Sequence, residues 1–306
     1  MTSLASAQPY PAKPVRLVAA SAPGGPVDIT ARLFAQKLGE SVGQSAVVEN
    51  RPGASGMIGA EYVAKSAADG YTVLASASVH VIVPSLYPRM AYDPIRDFAP
   101  VTVASTAPLL LVIAPTLPVK RLKEFVALAK VRPGELSFGS GGSGSSTHLT
   151  AELLNFVAEI RTTHVPYKGQ SQALTDVIAG QIPFMFNSVN AVIEFIRSGR
   201  LRALAVTSER RAAQLPDVPT FAETGYKDLV AGSWYAFWVP ARTPDAIVAK
   251  LNAELVRIVG LPDVRNRLLG MGAEPVGNTP AEFDAFQKAE MMRWARVVRA
   301  SGARAD

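Results

Sequence analysis

Pro23-Gly24-Gly25-Pro26-Val27-Asp28 follows an apolar run, Val15 to Ala20, and leads into Val27, Thr30, Ala31, Phe34 and Leu38, residues that share one face of a helix. The same order recurs at Gly139-Ser140-Gly141-Gly142-Ser143-Gly144-Ser145-Ser146, with Leu136 to Phe138 before it and Leu149, Glu152, Leu153 and Phe156 after it. A strand, a glycine turn and a helix in succession aim free backbone N–H groups and the positive end of a helix dipole at one point, which favours an anion. Two such units, more than a hundred residues apart, predict two lobes that each offer half of a pocket for something small and negatively charged.

Outward from these turns, strand and helix patterns alternate. A helix is expected from Pro26 to about Val42, a strand at Ala46–Glu49 and a helix from Met57 to about Ala67 after the turn Arg51-Pro52-Gly53-Ala54-Ser55-Gly56. Tyr71–Ala75 reads as a strand. Further strands are expected at Leu136–Phe138, Arg161–Val165, Phe184–Phe186 and Leu201–Val206, separated by helices at Leu122–Lys130, His148–Val157, Gln172–Ala179 and Val189–Ser198. Such alternation predicts α/β sheets that are mainly parallel, and the end of the chain from Pro244 onward is helix-rich. The uncharged stretch Val101 to Val119 carries Pro108, Pro115 and Pro118, which suits a long strand passing between lobes better than a membrane helix.

Composition narrows the function. The 306 residues are 48% hydrophobic and 18% charged, which fits a globular chain of about two domains and excludes wholesale disorder. No cysteine is present, so thiolate chemistry, thiolate metal sites and disulfides are excluded. The net charge of +6 is scattered rather than gathered in a stripe with aromatics, so no nucleic-acid partner is expected. The excess helps attract an anion through the summed field. His80, His148 and His164 show no metal-binding spacing, and neither a metal nor a cofactor is expected. Leu4-Ala5-Ser6-Ala7-Gln8 contains the A-x-A pattern of a signal-peptidase site, which predicts export with cleavage near Ala7.

Ligands of open parallel sheets sit beyond the carboxyl ends of the strands. Four polar, small-residue segments are expected there: 22–28, 76–80, 140–147 and Tyr167-Lys168-Gly169. The candidate ligand-binding residues are Ala22, Gly24, Gly25, Asp28, Ser76, Ala77, Ser78, Ser140, Gly141, Ser143, Ser145, Thr147, His148, Tyr167, Lys168, Gly169 and Asn187. Glycine lets a ligand reach the N–H groups, and serine adds hydroxyl donors. Asp28, at N3 of its helix, suits bracing of the loop as well as ligand contact. Ser145 suits a helix cap as well as a ligand donor. For His148 a helix-start or packing role is the stronger reading, and for His164 that of a satisfied core histidine.

Five motifs in order carry a resemblance: Gly24-Gly25-Pro26-Val27-Asp28-Ile29-Thr30-Ala31-Arg32, Glu49-Asn50-Arg51-Pro52-Gly53-Ala54-Ser55-Gly56, Phe138 through Leu149, His164-Val165-Pro166-Tyr167-Lys168-Gly169 and Leu215-Pro216-Asp217-Val218-Pro219-Thr220. From about Tyr10 to the end, the chain resembles the extracytoplasmic receptors of tripartite tricarboxylate transporters, often called Bug receptors. The resemblance implies a periplasmic, two-lobed type II binding-protein fold of the Venus-flytrap kind, without enzymatic activity. It implies a small carboxylate ligand, mono- or dicarboxylic and aromatic ones included, held largely through loop backbone and water. Its implied partners are two membrane subunits. A monomer is expected, with lobe one at 8–105 plus 235–306, lobe two at 106–234 and the cleft between them.

The chain departs from the family where Ala20-Ser21-Ala22 replaces a frequent aromatic, which leaves a wider first-lobe wall. Trp234 and Tyr235 fall where the chain returns to lobe one and suit either the cleft wall or the hinge core. The competing enzyme reading rests on Gly139-x-Gly141-x-x-Gly144, a literal dinucleotide pattern between a strand and a helix. No acid follows for a ribose hydroxyl, and Lys168 instead suits a 2′-phosphate, so an NADP-dependent oxidoreductase using the Gly139–Gly144 turn is the alternative.

Overall fold

The computed structural model describes residues 10–87 and 89–302, so the expected cleavage point near Ala7 lies outside the described residues. The chain begins with β1 (Val15–Ala19), α1 (Pro26–Val42), β2 (Ala46–Asn50), a short 3-10 turn at Ala54–Gly56, α2 (Met57–Ala64), β3 (Thr72–Ala77) and α3 (Val79–Leu86). A long strand, β4 (Phe98–Ile113), leads to α4 (Leu122–Val131), β5 (Ser137–Ser140), α5 (Ser146–Ala158), β6 (Thr163–Pro166) and α6 (Gln170–Ile178). Then come β7 (Phe184–Ser188), α7 (Val189–Arg197), β8 (Arg202–Val206) and β9 (Gly232–Pro240). The chain closes with α8 (Asp245–Gly260), α9 (Pro262–Gly270), β10 (Glu274–Pro275) and α10 (Pro280–Ser301).

The strands order as β2-β1-β3-β9-β4-β7-β5-β6, with β8 and β10 also on β4. β1 pairs in parallel with β2 and β3, and β5 in parallel with β6 and β7. The parallel ladders thus form the outer parts of the two sheets, while the strands around the crossing are antiparallel. β4 makes that crossing. Its residues Phe98 to Pro108 pair with β9, and Leu109 to Ile113 pair with β7 and β8. One strand therefore belongs to both sheets, and the stretch read as a strand passing between lobes, Val101 to Val119, forms it from Val101 to Ile113.

Alternation along the strands fills cores on both faces. Val15, Leu17 and Ala19 point toward α1 and α8, while Val18 and Ala20 join Ala60, Val63, Trp238 and Phe283 on the opposite face. In β4, Leu109, Leu111 and Ile113 pack with Phe125 and Phe138, and Leu110 and Val112 pack with Val177 and Val192. Burial on both faces explains why these strands read as unbroken apolar runs. α10 binds the two halves together: Phe283 sits in the first-sheet core, and Trp294, Val297 and Val298 sit in the second.

Several sequence expectations shift. The α5 core face is Leu149, Ala151, Leu153 and Leu154, whereas Phe156 is 52% exposed. Ser76 and Ala77 are the last residues of β3, and Ser78 is the N-cap of α3, a helix absent from the sequence reading. Trp234 fills the hinge core: it is buried, packs against Trp238, Phe283 and Phe286, and donates its indole N–H to Glu290. Tyr235 is half-buried in β9 opposite Ala77.

Candidate functional site

The first glycine turn is braced by a buried carboxylate. Asp28 is 3% exposed. One oxygen accepts the Gly24 N–H at 2.9 Å, the other accepts Asn50 Nδ2 at 2.8 Å, and Arg32 Nε approaches at 3.0 Å. Burial alone would raise this carboxyl's pKa, but the hydrogen bonds from Arg32, the Gly24 backbone and Asn50 outweigh it and hold it below the ordinary value. Its hydrogen-bonding capacity is thus spent on the turn. Gly24 has φ +79°, a conformation glycine adopts at no cost, whereas Gly25 sits at φ −76° as the N-cap of α1. Gly25 brings no side chain and Pro26 no N–H, so α1 starts without a side-chain cap. A dipole end left in this state accepts an anion.

The second turn is braced without any carboxylate. Ser140 Oγ accepts the Gly142 N–H at 3.1 Å and lies 2.6 Å from His164 Nε2. Thr147 Oγ1 accepts the Gly141 N–H at 3.1 Å. Ser145 is the helix cap, its hydroxyl accepting the His148 N–H at 3.3 Å. His148 Nδ1 accepts the Gly144 N–H at 3.0 Å, so the neutral ring carries its proton on Nε2, 3.8 Å from Glu152 Oε1. Burial raises the Glu152 pKa, opposed by a hydrogen bond from Asn155. The His148 and His164 rings stack at 3.8 Å with 7° between planes, and Phe138 stacks on His164. His164 is thus half-buried beside the turn and tied to Ser140.

The structure joins several predicted segments. Tyr167 N–H donates to the Ser140 carbonyl at 3.2 Å, and a Cβ on Gly142 would lie 3.2 Å from the Tyr167 carbonyl, so the 140–144 and 167–169 loops touch. The Tyr167 hydroxyl donates to Asp176 at 2.5 Å; burial and that bond push its pKa to about 12. A Cβ on Gly144 would meet Leu86 at 3.1 Å, which sets the second turn against α3, the helix begun by Ser78. The Ser78 N–H donates to the Trp234 carbonyl. Ala22, Gly24 and Lys168 are exposed; Gly25, Ala77, Gly141, Ser143, Ser145 and Gly169 are half-buried. Ser76, Ser78, Ser140, Thr147, His148 and Asn187 are buried, and Asn187 Oδ1 accepts the Ser188 N–H at 2.8 Å. The stacked histidines were not legible in sequence, because sixteen positions separate them without a spacing rule. A cavity of about 620 Å³ lies elsewhere, at the crossing of β4 and β9, and none of the candidate residues lines it.

Two sheets sharing a crossing strand, with glycine turns at the ends of parallel strands, define the two-lobed periplasmic binding-protein fold. The sequence matches the tripartite tricarboxylate transporter family receptors over residues 30–303. It is 40% identical over 301 residues to Protein BugT of Bordetella pertussis (strain Tohama I), covering 98% of this chain and 92% of that one. Among solved structures, an R. palustris protein with adipate is 36% identical, with a TM-score of 0.79 over 97% of this chain and 100% of that one. MatC from Rhodopseudomonas palustris, with bound malate, is 33% identical, with a TM-score of 0.75 over 94% and 100%. The chain belongs to the tripartite tricarboxylate transporter receptors, the Bug family of periplasmic solute-binding proteins.

Proposed function

We propose that this protein is an extracytoplasmic receptor for a small mono- or dicarboxylate. It holds the anion in a cleft between lobe one (8–105 plus 235–306) and lobe two (106–234) and delivers it, as an exported monomer, to the membrane subunits of a tripartite transporter. The observation that carries this reading is the pair of strand–glycine turn–helix units, one on each sheet, with α1 left without a side-chain cap. The dicarboxylates in two related structures support the ligand class. The function is binding, not catalysis. Ser143 and Gly169 present backbone N–H groups to the anion, Gly25 and Gly141, whose own N–H groups are bonded within the loops, admit it by bringing no side chain, and Lys168 is the one cation of the candidate segments. Asp28, Ser140, Thr147 and His148 hold the turns in shape.

A thermal-shift and calorimetric screen of carboxylates, with NADPH as the control, tests this. Ligand at about a hundred times Kd adds roughly 2.7 kcal/mol, a melting shift of several degrees. Gly25→Val should fold, because a Cβ there meets nothing closer than the Ala22 carbonyl at 3.4 Å, yet lose binding. Gly141→Val should also lose binding, after displacing the flexible Gln170 side chain, whose Cγ would lie 2.9 Å away. A shift with NADPH and none with any carboxylate would overturn the reading in favour of the oxidoreductase alternative.

A further inference from the structure

The 620 Å³ cavity at the crossing has the size of a small-molecule site. Its lining comes from both sheets: residues 106–108 of β4, 207–211 after β8, 230–234 entering β9, 274–276 around β10, and three residues of α10. One wall is apolar, with Pro108, Val230, Pro275, Val276 and the half-buried Phe286, whose ring is backed by the buried Trp234 at 5.3 Å between centroids. Part of its charge is already committed. Glu290 accepts both the Trp234 and Trp294 indole N–H groups and pairs with Arg293 at 2.6 Å, and Arg211 pairs with Glu223 at 2.9 Å. Three lining side chains are different. Among the described residues, Glu209, Arg210 and Glu274 make no side-chain hydrogen bond or ion pair, and all three are exposed at the cavity.

We propose that this hinge cavity is a second ligand site, separate from the glycine-turn cleft, for a small zwitterion bearing an apolar group, the chemistry of an aromatic α-amino acid. The carboxylate meets Arg210, whose guanidinium suits a two-point carboxylate contact. The ammonium meets Glu209 and Glu274, and the apolar group rests on the apolar wall at Phe286, where burial of aromatic surface favours it. Both charge signs are needed, because the uncommitted lining offers both.

Calorimetry with L-phenylalanine, phenylalaninamide and N-acetylphenylalanine tests the site on the whole protein. The expected result is one phenylalanine bound per chain, with at least tenfold loss for either analogue. Arg210→Ala and the double variant Glu209→Gln/Glu274→Gln should each weaken phenylalanine binding at least tenfold. Ala213→Trp, at an exposed lining position, should block it, and Gly25→Val should leave it unchanged. Unaltered melting of each variant without ligand confirms that it folds. Three results would overturn the proposal: no binding of phenylalanine at millimolar concentration, binding indifferent to Arg210→Ala, or binding abolished by Gly25→Val, which would put the zwitterion in the cleft.

Discussion

The two glycine turns look alike in sequence and are held by opposite chemistry. Beneath the first lies a buried anion, Asp28, gripped by a guanidinium, an amide and a backbone N–H. Beneath the second lie three hydroxyls and two stacked imidazoles. A charged brace is strong and costly to break, since one missing partner leaves a desolvated charge. A neutral brace is weaker per bond but puts no fixed negative charge beside an incoming anion. The difference teaches that a shared backbone shape does not imply a shared response to mutation or acid.

The largest expected effect comes from Asp28→Ala, which takes the acceptor from the Gly24 N–H and one of the two acceptors of Asn50 Nδ2, while the half-exposed Arg32 keeps Asn50 Oδ1 and water. The lost charge-assisted hydrogen bonds should lower the unfolding free energy by about 3 kcal/mol, against about 1 kcal/mol for Ser140→Ala, a neutral hydroxyl. Urea denaturation of both variants checks this, and equal losses would break the contrast between the braces.

A second test uses His80, which lies in the core of the first sheet, away from the stacked pair. His80 is 2% exposed among Tyr92, Phe98 and Trp238, and neither ring nitrogen makes a hydrogen bond of normal geometry. Burial, only partly offset by the Pro94 backbone, depresses its pKa to about 4 from an ordinary 6.5. The folded ring stays neutral while the unfolded ring takes a proton, so its contribution is complete above pH 6.5 and falls as pH drops toward 4. That loss amounts to about 3 kcal/mol at most. Stability measured from pH 7 to 4 should therefore fall less steeply in His80→Phe than in the parent, and parallel curves would refute the assignment.

The smallest effect sharpens the second turn alone. Ser145→Ala removes a cap and should cost about 1 kcal/mol in the ligand-free protein. A loss seen only in carboxylate affinity, with ligand-free melting unchanged, would make the hydroxyl a ligand donor instead.

Much of the architecture was legible because burial on two faces leaves an unmistakable run of apolar residues, as in Leu109–Ile113. α3 escaped notice because Val79-His80-Val81-Ile82-Val83-Pro84 combines β-branched residues with a proline, a poor helix on propensity that tertiary packing overrides. β4 was legible from Val101 as one long strand in spite of Pro108; its start at Phe98 and the bulges that break its register near Thr102 and Ser105 leave no mark in the sequence. In the candidate site, the glycine turns announced themselves through composition. What braces them did not, since Asn50 and His164 reach their partners only through the fold. Phe156 sits in helical phase with Leu149 and Leu153 but at the edge of the packed face, a distinction that periodicity alone does not make.

The late arrival of β9 also sets an order of assembly. The first sheet draws β1, β2 and β3 from the opening 77 residues, but its next strand, β9, arrives only at Gly232–Pro240, after the whole second sheet has been laid down. Until then the flank of β3 is an unpaired edge, the kind of surface that recruits a neighbouring chain. A chain stopped after β8 would leave that edge bare. Truncation before β9 should therefore expose an edge open to pairing with a neighbouring chain.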